Sequence, residues 1–153
     1  MPDPDHIRAW QRINANLTTS GRLTEADVES LAAQGVRHVI NLALADHPEA
    51  LTNAEGRLAA HGMDYSHIPV PFDAPDDGHF TAFCKAMEGG DRPVHVHCIM
   101  NWRVSAFLYR YNRDILGMAE PQARALMERQ WSPESIDHPA GPAWVRFIAD
   151  CVN

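Results

Sequence analysis

Apolar and polar positions along the chain predict strands and helices in alternation. Short β-branched runs at residues 36–42, 65–70 and 94–96 have the composition of buried strands, and residues 13–17 form a further candidate. Apolar residues with helical spacing occupy residues 25–34, 49–59, 80–87, 102–115, 119–127 and 142–151. Strands that alternate with helices predict a mostly parallel sheet with helices on both faces. We therefore expect a single α/β domain over residues 1–153, with about four to five strands in a central sheet.

Capping and turn residues mark where several of these elements begin and end. Thr24 has the character of an N-cap, with Asp27 three residues later in the capping-box position, and Gly35 has the character of a C-terminal cap. Residues 71–78 are rich in proline, aspartate and glycine and predict a turn, as do the small polar residues 18–21.

The junction between the strand at residues 94–96 and the following helix carries the candidate chemistry. Cys98 lies where backbone N–H groups point outward and the helix dipole favours an anion. The same environment favours a thiolate, the nucleophilic form of cysteine. Arg103 falls in the first helical turn, where its planar guanidinium could bind the same anion. Because ligands bind at the carboxyl ends of parallel strands, the pattern predicts an oxyanion site with a thiol at its floor.

Net charge, hydropathy and cysteine content indicate the class of partner and the location of the protein. The formal net charge of −7 argues against a nucleic-acid partner but is compatible with a small phosphorylated substrate. No apolar run approaches the ~20 residues that span a bilayer, and the acidic first residues do not have the pattern of a signal peptide. Three cysteines without paired spacing do not indicate a disulfide framework. We expect a cytoplasmic protein without a membrane partner.

The residues around Cys98 resemble a known phosphate-binding loop. His97-Cys98 followed by Arg103, after a valine-rich strand, is similar to the loop of cysteine-dependent tyrosine and dual-specificity phosphatases. Upstream segments at residues 19–23, 35–42 and 62–70 resemble the small bacterial tyrosine-phosphatase-like family, which also occurs as a domain of beta-lactamase-hydrolase-like proteins. The resemblance covers roughly residues 12–115 and implies a cysteine-phosphatase-like fold.

The resemblance also implies a mechanism and a set of roles. Cys98 would attack phosphorus, and Arg103 with the loop N–H groups would hold the phosphoryl oxygens. In related phosphatases a carboxylic acid from a neighbouring loop protonates the leaving oxygen, and Asp73 occupies that place here, with Asp76 and Asp77 as competitors. We expect hydrolysis that is independent of metal, and no cofactor.

The loop departs from the usual pattern in length and composition. Four residues separate Cys98 from Arg103, where five are usual, and none is glycine. Asn101 is the natural substitute, because asparagine tolerates the left-handed backbone region. The hydroxyl that usually follows the arginine is displaced to Ser105. The expected substrate-binding residues are those of the loop and its helix start: Ile99, Met100, Asn101, Trp102, Arg103 and Ser105.

The sequence leaves alternative roles open for His95 and His97 and for Cys98. His95 and His97 lie on one side of the strand, a spacing that could serve a transition metal, but no second ligand pair follows and we expect no metal. His97 is expected to support the loop by a hydrogen bond. The four-residue gap also fits a rhodanese-like sulfurtransferase, with Cys98 carrying a persulfide. A phosphate-binding pseudophosphatase is a third interpretation.

Overall fold

The chain is described over residues 2–151 by a computed structural model, in which five strands form one mixed sheet. The strand order is β1-β2-β5-β3-β4; β1 and β2 are antiparallel, and all other neighbouring strands are parallel. The strands are β1 (Gln11–Asn14), β2 (Leu17–Ser20), β3 (His38–Asn41), β4 (Asp64–His67) and β5 (Val94–His97). The structure confirms the predicted mostly parallel α/β sheet.

Within residues 2–151, six α-helices pack around this sheet. They are α1 (Glu25–Ala33), α2 (Ala54–Ala59), α3 (Asp77–Gly89), α4 (Trp102–Arg110), α5 (Glu120–Met127) and α6 (Gly141–Ala149). A π-helical turn, Tyr111–Ile115, continues α4. No helix among residues 2–151 combines the length and the apolar character needed to cross a membrane.

Strand β5 lies at the centre of the sheet, between β2 and β3, and its four residues are all buried. The parallel register places Ser20, His97 and Asn41 side by side at the carboxyl edge of the sheet. Cys98 follows directly, so the chain leaves the sheet at the edge where parallel strands present ligand sites.

The two faces of the sheet carry different cores. Val94 and Val96 belong to the larger core, which also contains the buried residues of α3 to α6. His95 and His97 point to the opposite side, where Trp10 stacks on His95 with ring centroids 5.3 Å apart. Side chains alternate along a strand, so one strand supplies apolar packing to one core and imidazoles to the other.

The predicted opening strand at residues 13–17 was wrong in its bounds. Residues 15 and 16 form the turn of a hairpin, and the expected turn at residues 18–20 is strand β2. Thr18 and Ser20 gave a turn-like signal because they are small and polar. Both hydroxyls are satisfied inside the sheet by His95, at 2.8 Å each.

Other boundaries follow the sequence more closely. The capping box of Thr24 and Asp27 is present at the start of α1, and Gly35 has a φ of 83° after its end. The helix predicted at residues 49–59 is shorter and begins at Ala54, after Asn53 in the left-handed region. Gly56 within this segment disfavours a longer helix.

We predict that the free energy of unfolding decreases as the pH falls from about 6.5 to about 4. Burial lowers the pKa of His97 to about 4 and lowers that of His95 well below its usual value. The unfolded chain therefore binds more protons than the folded chain across this window, which favours unfolding. For His97 alone the difference corresponds to about 3 kcal/mol. Urea denaturation at several pH values measures the slope.

Two variants test whether the buried histidines cause this dependence of the free energy of unfolding on pH. His95→Gln removes a buried imidazole and should make the dependence on pH shallower than in the wild type. His61→Gln removes an exposed imidazole and controls for the loss of one histidine as such. Equal slopes for wild type and His95→Gln would contradict the assignment.

Candidate active site

A pocket of about 280 Å³ opens at the carboxyl edge of the sheet, beside the loop that follows β5. Cys98 is only 1% exposed and lies at its floor. The lining residues come from four separate segments of the chain: Leu44, His47, Phe72, Cys98, Ile99, Met100, Trp102, Arg103 and His138. A buried thiol in a concave site is the arrangement that the sequence predicted for an anion-binding loop.

The loop after Cys98 presents free backbone donors. The amides of residues 99–102 donate to no acceptor among the residues that the structure describes, whereas the Cys98 amide donates to the Ser20 carbonyl at 3.4 Å. The N-cap of α4, Asn101, makes no side-chain hydrogen bond to the helix. Unpaired N–H groups at the start of a nine-residue helix form a site with partial positive charge that suits an oxyanion.

Asn101 adopts the left-handed conformation that the sequence predicted, with φ 66° and ψ 10°. Its side chain is fully buried and turns away from the pocket. The Nδ2 group donates to the Ala9 carbonyl at 2.9 Å and to Thr19 Oγ1 at 3.0 Å. Only the backbone of Asn101 is therefore available to a bound anion, and its side chain anchors the loop.

Arg103 lies against the wall of the pocket and is 7% exposed. Its Nη1 donates to the Val70 carbonyl at 2.8 Å, and its guanidinium carbon lies 5.7 Å from the centroid of the Phe72 ring. The Nε and Nη2 groups have no acceptor in the described part of the chain. They leave one edge of the guanidinium available for an anion.

His97 supports the loop from below. Its Nδ1–H donates to the Cys98 carbonyl at 3.3 Å, which places the ring hydrogen on Nδ1. Burial lowers its pKa to about 4, the hydrogen bond to the carbonyl opposes part of this effect, and nearby His67 lowers it further. His97 is therefore a neutral donor to the loop at physiological pH.

Both ring nitrogens of His95 form hydrogen bonds to side chains of β2. Ser20 Oγ donates to the Gly21 carbonyl at 2.9 Å, so it accepts from His95 Nε2–H, and Thr18 Oγ1 donates to His95 Nδ1. Both ring nitrogens are thereby occupied. Among residues 2–151, no group of three or more His, Cys, Asp or Glu side chains is placed to hold a metal ion.

Aromatic side chains form the upper wall of the pocket. Trp102 stacks on Trp131 with centroids 5.0 Å apart and planes 2° from parallel, and Phe72 lies 6.1 Å from Trp102. His138 meets the Phe72 ring edge-on at 5.1 Å. The pocket therefore offers flat apolar surfaces above a polar floor.

The predicted aspartates lie outside this pocket. Asp73 is exposed and lines a neighbouring concavity together with Asp76 and Asp77. Asp76 caps α3 by accepting from the His79 amide at 2.8 Å, and Asp77 pairs with Arg110 at 3.0 Å. The role of Asp73 stays a prediction that this placement does not favour.

Ser105 is also separate from the pocket. Its Oγ donates to the Trp102 carbonyl at 3.1 Å, and the residue borders a different, very small cavity. The structure thus brings Cys98 and Arg103 together with the loop residues between them, and it excludes the Asn101 side chain and Ser105 from the same space.

Sequence reasoning missed Leu44, His47, Phe72 and His138, whose loops meet only in the folded chain. Two of them share a local signal. His47 and His138 are the histidines that precede proline, and each Nδ1 accepts the backbone N–H two residues later, from Glu49 at 3.0 Å and from Ala140 at 2.9 Å. Proline has no N–H, so the next amide closes such a turn. Each neutral ring therefore carries its hydrogen on Nε2.

Comparisons with known proteins place the chain in a family. Residues 10–110 match the family described as "Beta-lactamase hydrolase-like protein, phosphatase-like domain". The beta-lactamase hydrolase-like protein of Agrobacterium fabrum (strain C58) is 37% identical over 91 residues, which cover 57% of this chain and 21% of that protein. The chain thus spans about a fifth of the length of the curated relative that it matches.

Solved structures show the same fold. A DUF442 protein from Shewanella putrefaciens CN-32, described as a candidate phosphatase, has a TM-score of 0.77 and 29% identity over 94% of this chain and 88% of that one. TpbA from P. aeruginosa, solved in complex with pTyr, has a TM-score of 0.65 and 19% identity over 90% of this chain and 82% of that one. Since the family match covers about two thirds of the chain, the protein belongs to the phosphatase-like domain family of beta-lactamase hydrolase-like proteins.

Proposed function

We propose that the chain hydrolyses phosphomonoesters through a cysteinyl-phosphate intermediate on Cys98. The observation that carries this proposal is that Cys98, Arg103 and three residues of the loop between them line a single pocket, and that the backbone amides of these three loop residues have no acceptor among the described residues. A phosphate dianion needs several donors around its three terminal oxygens and a nucleophile in line with the ester bond. Membership of a phosphatase-like family supports the same reaction.

The reaction would proceed in two displacements. The Cys98 thiolate attacks phosphorus, the bond from phosphorus to the leaving oxygen breaks, and that oxygen takes the electron pair. Arg103 and the amides of residues 99–102 hold the terminal oxygens while charge moves across the phosphoryl group. Water then attacks the phosphocysteine, which releases phosphate and restores the thiolate.

The walls of the pocket favour an aromatic ester. Phe72 and Trp102 present ring surfaces above the floor, and the volume of about 280 Å³ is large enough for a phosphorylated ring. TpbA, which has the same fold, was solved with pTyr. We infer that an aryl phosphate, either a phosphotyrosine or a small molecule, is the substrate class to test first.

Cys98→Ser should abolish hydrolysis of p-nitrophenyl phosphate, because a serine hydroxyl is a far weaker nucleophile than a thiolate. Release of p-nitrophenol measures the rate, in buffer with EDTA so that contaminating metal does not contribute. Rapid quenching of the wild type during turnover should trap a phosphate on the peptide that contains Cys98.

Cys151→Ser is the matched control, because it makes the same substitution at an exposed cysteine outside the pocket. It should retain the wild-type rate. Hydrolysis by Cys98→Ser at the wild-type rate, or a wild type without any phosphocysteine, would reject the proposal.

Arg103→Lys should weaken the binding of tungstate, an unreactive oxyanion, by about tenfold to a hundredfold. Lysine keeps the positive charge but lacks the planar fork that binds the anion while also donating to the Val70 carbonyl. Inhibition of hydrolysis and calorimetry give the dissociation constants. Arg37→Lys, at an exposed position, should bind tungstate like the wild type.

A second function, sulfur transfer through a Cys98 persulfide, is favoured by two observations. The gap of four residues between Cys98 and Arg103 fits the shorter loop of rhodanese-like enzymes. No carboxylate of residues 2–151 lines the pocket, and transfer of a persulfide sulfur does not require a carboxylic acid.

If sulfur transfer occurs, the Cys98 thiolate should take the outer sulfur of thiosulfate and release sulfite, and cyanide should then remove that sulfur as thiocyanate and restore the thiolate. Intact-mass measurement follows the added sulfur, and Cys98→Ser should remain unmodified. A wild-type mass that does not change with thiosulfate would eliminate this second function while leaving the phosphatase proposal in place.

A further inference from the structure

We propose that His138, through its Nε2–H, donates the hydrogen bond to the leaving oxygen of the substrate. This role is the one that the resemblance assigned to an aspartate, and the inference rests on the proposed phosphatase function. His138 lines the pocket that contains Cys98, whereas Asp73, Asp76 and Asp77 line a different concavity.

The loop that carries Asp73 is held so that its aromatic residue, not its carboxylate, enters the pocket. Trp144 Nε1–H donates to the Phe72 carbonyl at 2.7 Å, and the Ala74 amide donates to the Pro71 carbonyl at 3.1 Å. Phe72 also contacts the rings of four neighbours, namely Trp102, Trp131, His138 and Trp144. Asp73 is exposed in a different concavity, whereas His138 already lines the pocket that contains Cys98.

The turn at His138 supplies a donor with a defined hydrogen. Pro139 has no N–H, and the Ala140 amide donates to His138 Nδ1 at 2.9 Å. That contact places the hydrogen of the neutral ring on Nε2. The Nε2 atom has no acceptor among the residues that the structure describes, so this N–H is available to a ligand in the pocket.

His138 is better placed for this role than His47, which has the same kind of turn. His138 packs edge-on against Phe72, the neighbour of Asp73, and therefore lies on the side where the family pattern expects the leaving group. It is exposed at the mouth of the pocket, whereas Cys98 is buried at the floor. A leaving oxygen in line with the sulfur points away from that floor. His47 lies instead beside Glu49, which pairs with Arg8 and Arg22.

The chemical consequence is a hydrogen bond without full proton transfer. The sulfur–phosphorus bond forms as the phosphorus–oxygen bond breaks, and the electron pair stays on the leaving oxygen, which His138 Nε2–H stabilises. The proton that completes the alcohol comes from water. A neutral imidazole stabilises a phenolate more readily than it could protonate an alkoxide, so the site should prefer esters of acidic alcohols.

A series of aryl phosphates tests the inference with the full chain. His138→Phe keeps a ring against Phe72 but removes the N–H. It should lower kcat/KM for phenyl phosphate, whose leaving group has a pKa near that of tyrosine at about 10, by about tenfold to a hundredfold. It should change kcat/KM for 2,4-dinitrophenyl phosphate less than about twofold, because that leaving group needs little stabilisation. His138→Gln, which retains an N–H donor, should recover part of the phenyl phosphate activity.

Control variants separate this inference from the phosphatase proposal. His61→Phe, an exposed position outside the pocket, should behave as the wild type with both esters. A loss selective for phenyl phosphate in Asp73→Asn or His47→Phe, but not in His138→Phe, would overturn the role of His138 and leave Cys98 as the nucleophile. A wild type that hydrolyses neither ester, or a Cys98→Ser that hydrolyses both, would overturn both proposals.

Discussion

The geometry of the site depends on one residue, Asn101, which holds a left-handed backbone without being glycine. That conformation costs a non-glycine residue about 1–2 kcal/mol. The Nδ2 group of Asn101 donates to the Ala9 carbonyl and to Thr19 Oγ1, bonds worth about 1 kcal/mol each, while its buried Oδ1 has no partner among the described residues. The two bonds also tie the loop to β2 and to the segment before β1. The turn at Asn101 then lets α4 begin at Trp102 and places Arg103 in its first turn, in the lining of the pocket that also contains Cys98.

The parts of the fold that could be predicted from sequence are those encoded by neighbours in the chain. The Val94–His97 strand, the Cys98 to Arg103 loop and the Thr24 capping box are local patterns, and each was found. Strand β2 was not, because its hydroxyls are satisfied by His95, a residue more than seventy positions away. A polar pair of this kind resembles a turn until the partner strand is known. The sequence does not show that pairing, and the register of β2 and β5 creates it.

The contrast between local patterns and contacts of distant residues also explains why Phe72 lines the pocket and Asp73 does not. The resemblance pointed to the loop that carries Asp73, and of this loop Phe72 lines the pocket. Which side chain enters the pocket is decided by packing: a ring surrounded by aromatic neighbours gains about 0.5–1.5 kcal/mol per pair beyond its buried area. An exposed carboxylate gains nothing comparable by turning inward. His138 reaches the pocket from a loop near the C-terminal helix, and only its proline neighbour gave any local sign of a fixed ring.

An acidic chain can still favour a dianion, because the donors in the pocket are few, local and already oriented. Arg103 is held by the Val70 carbonyl, the loop amides by Asn101, and His138 by the Ala140 amide. Each donor is fixed by a backbone contact and needs little rearrangement when charge develops, which is the condition under which electrostatic stabilisation accelerates a reaction most. At moderate salt, dissolved ions screen the charge of an exposed carboxylate beyond about 10 Å. The net charge of −7 therefore does not set the field at the floor of the pocket.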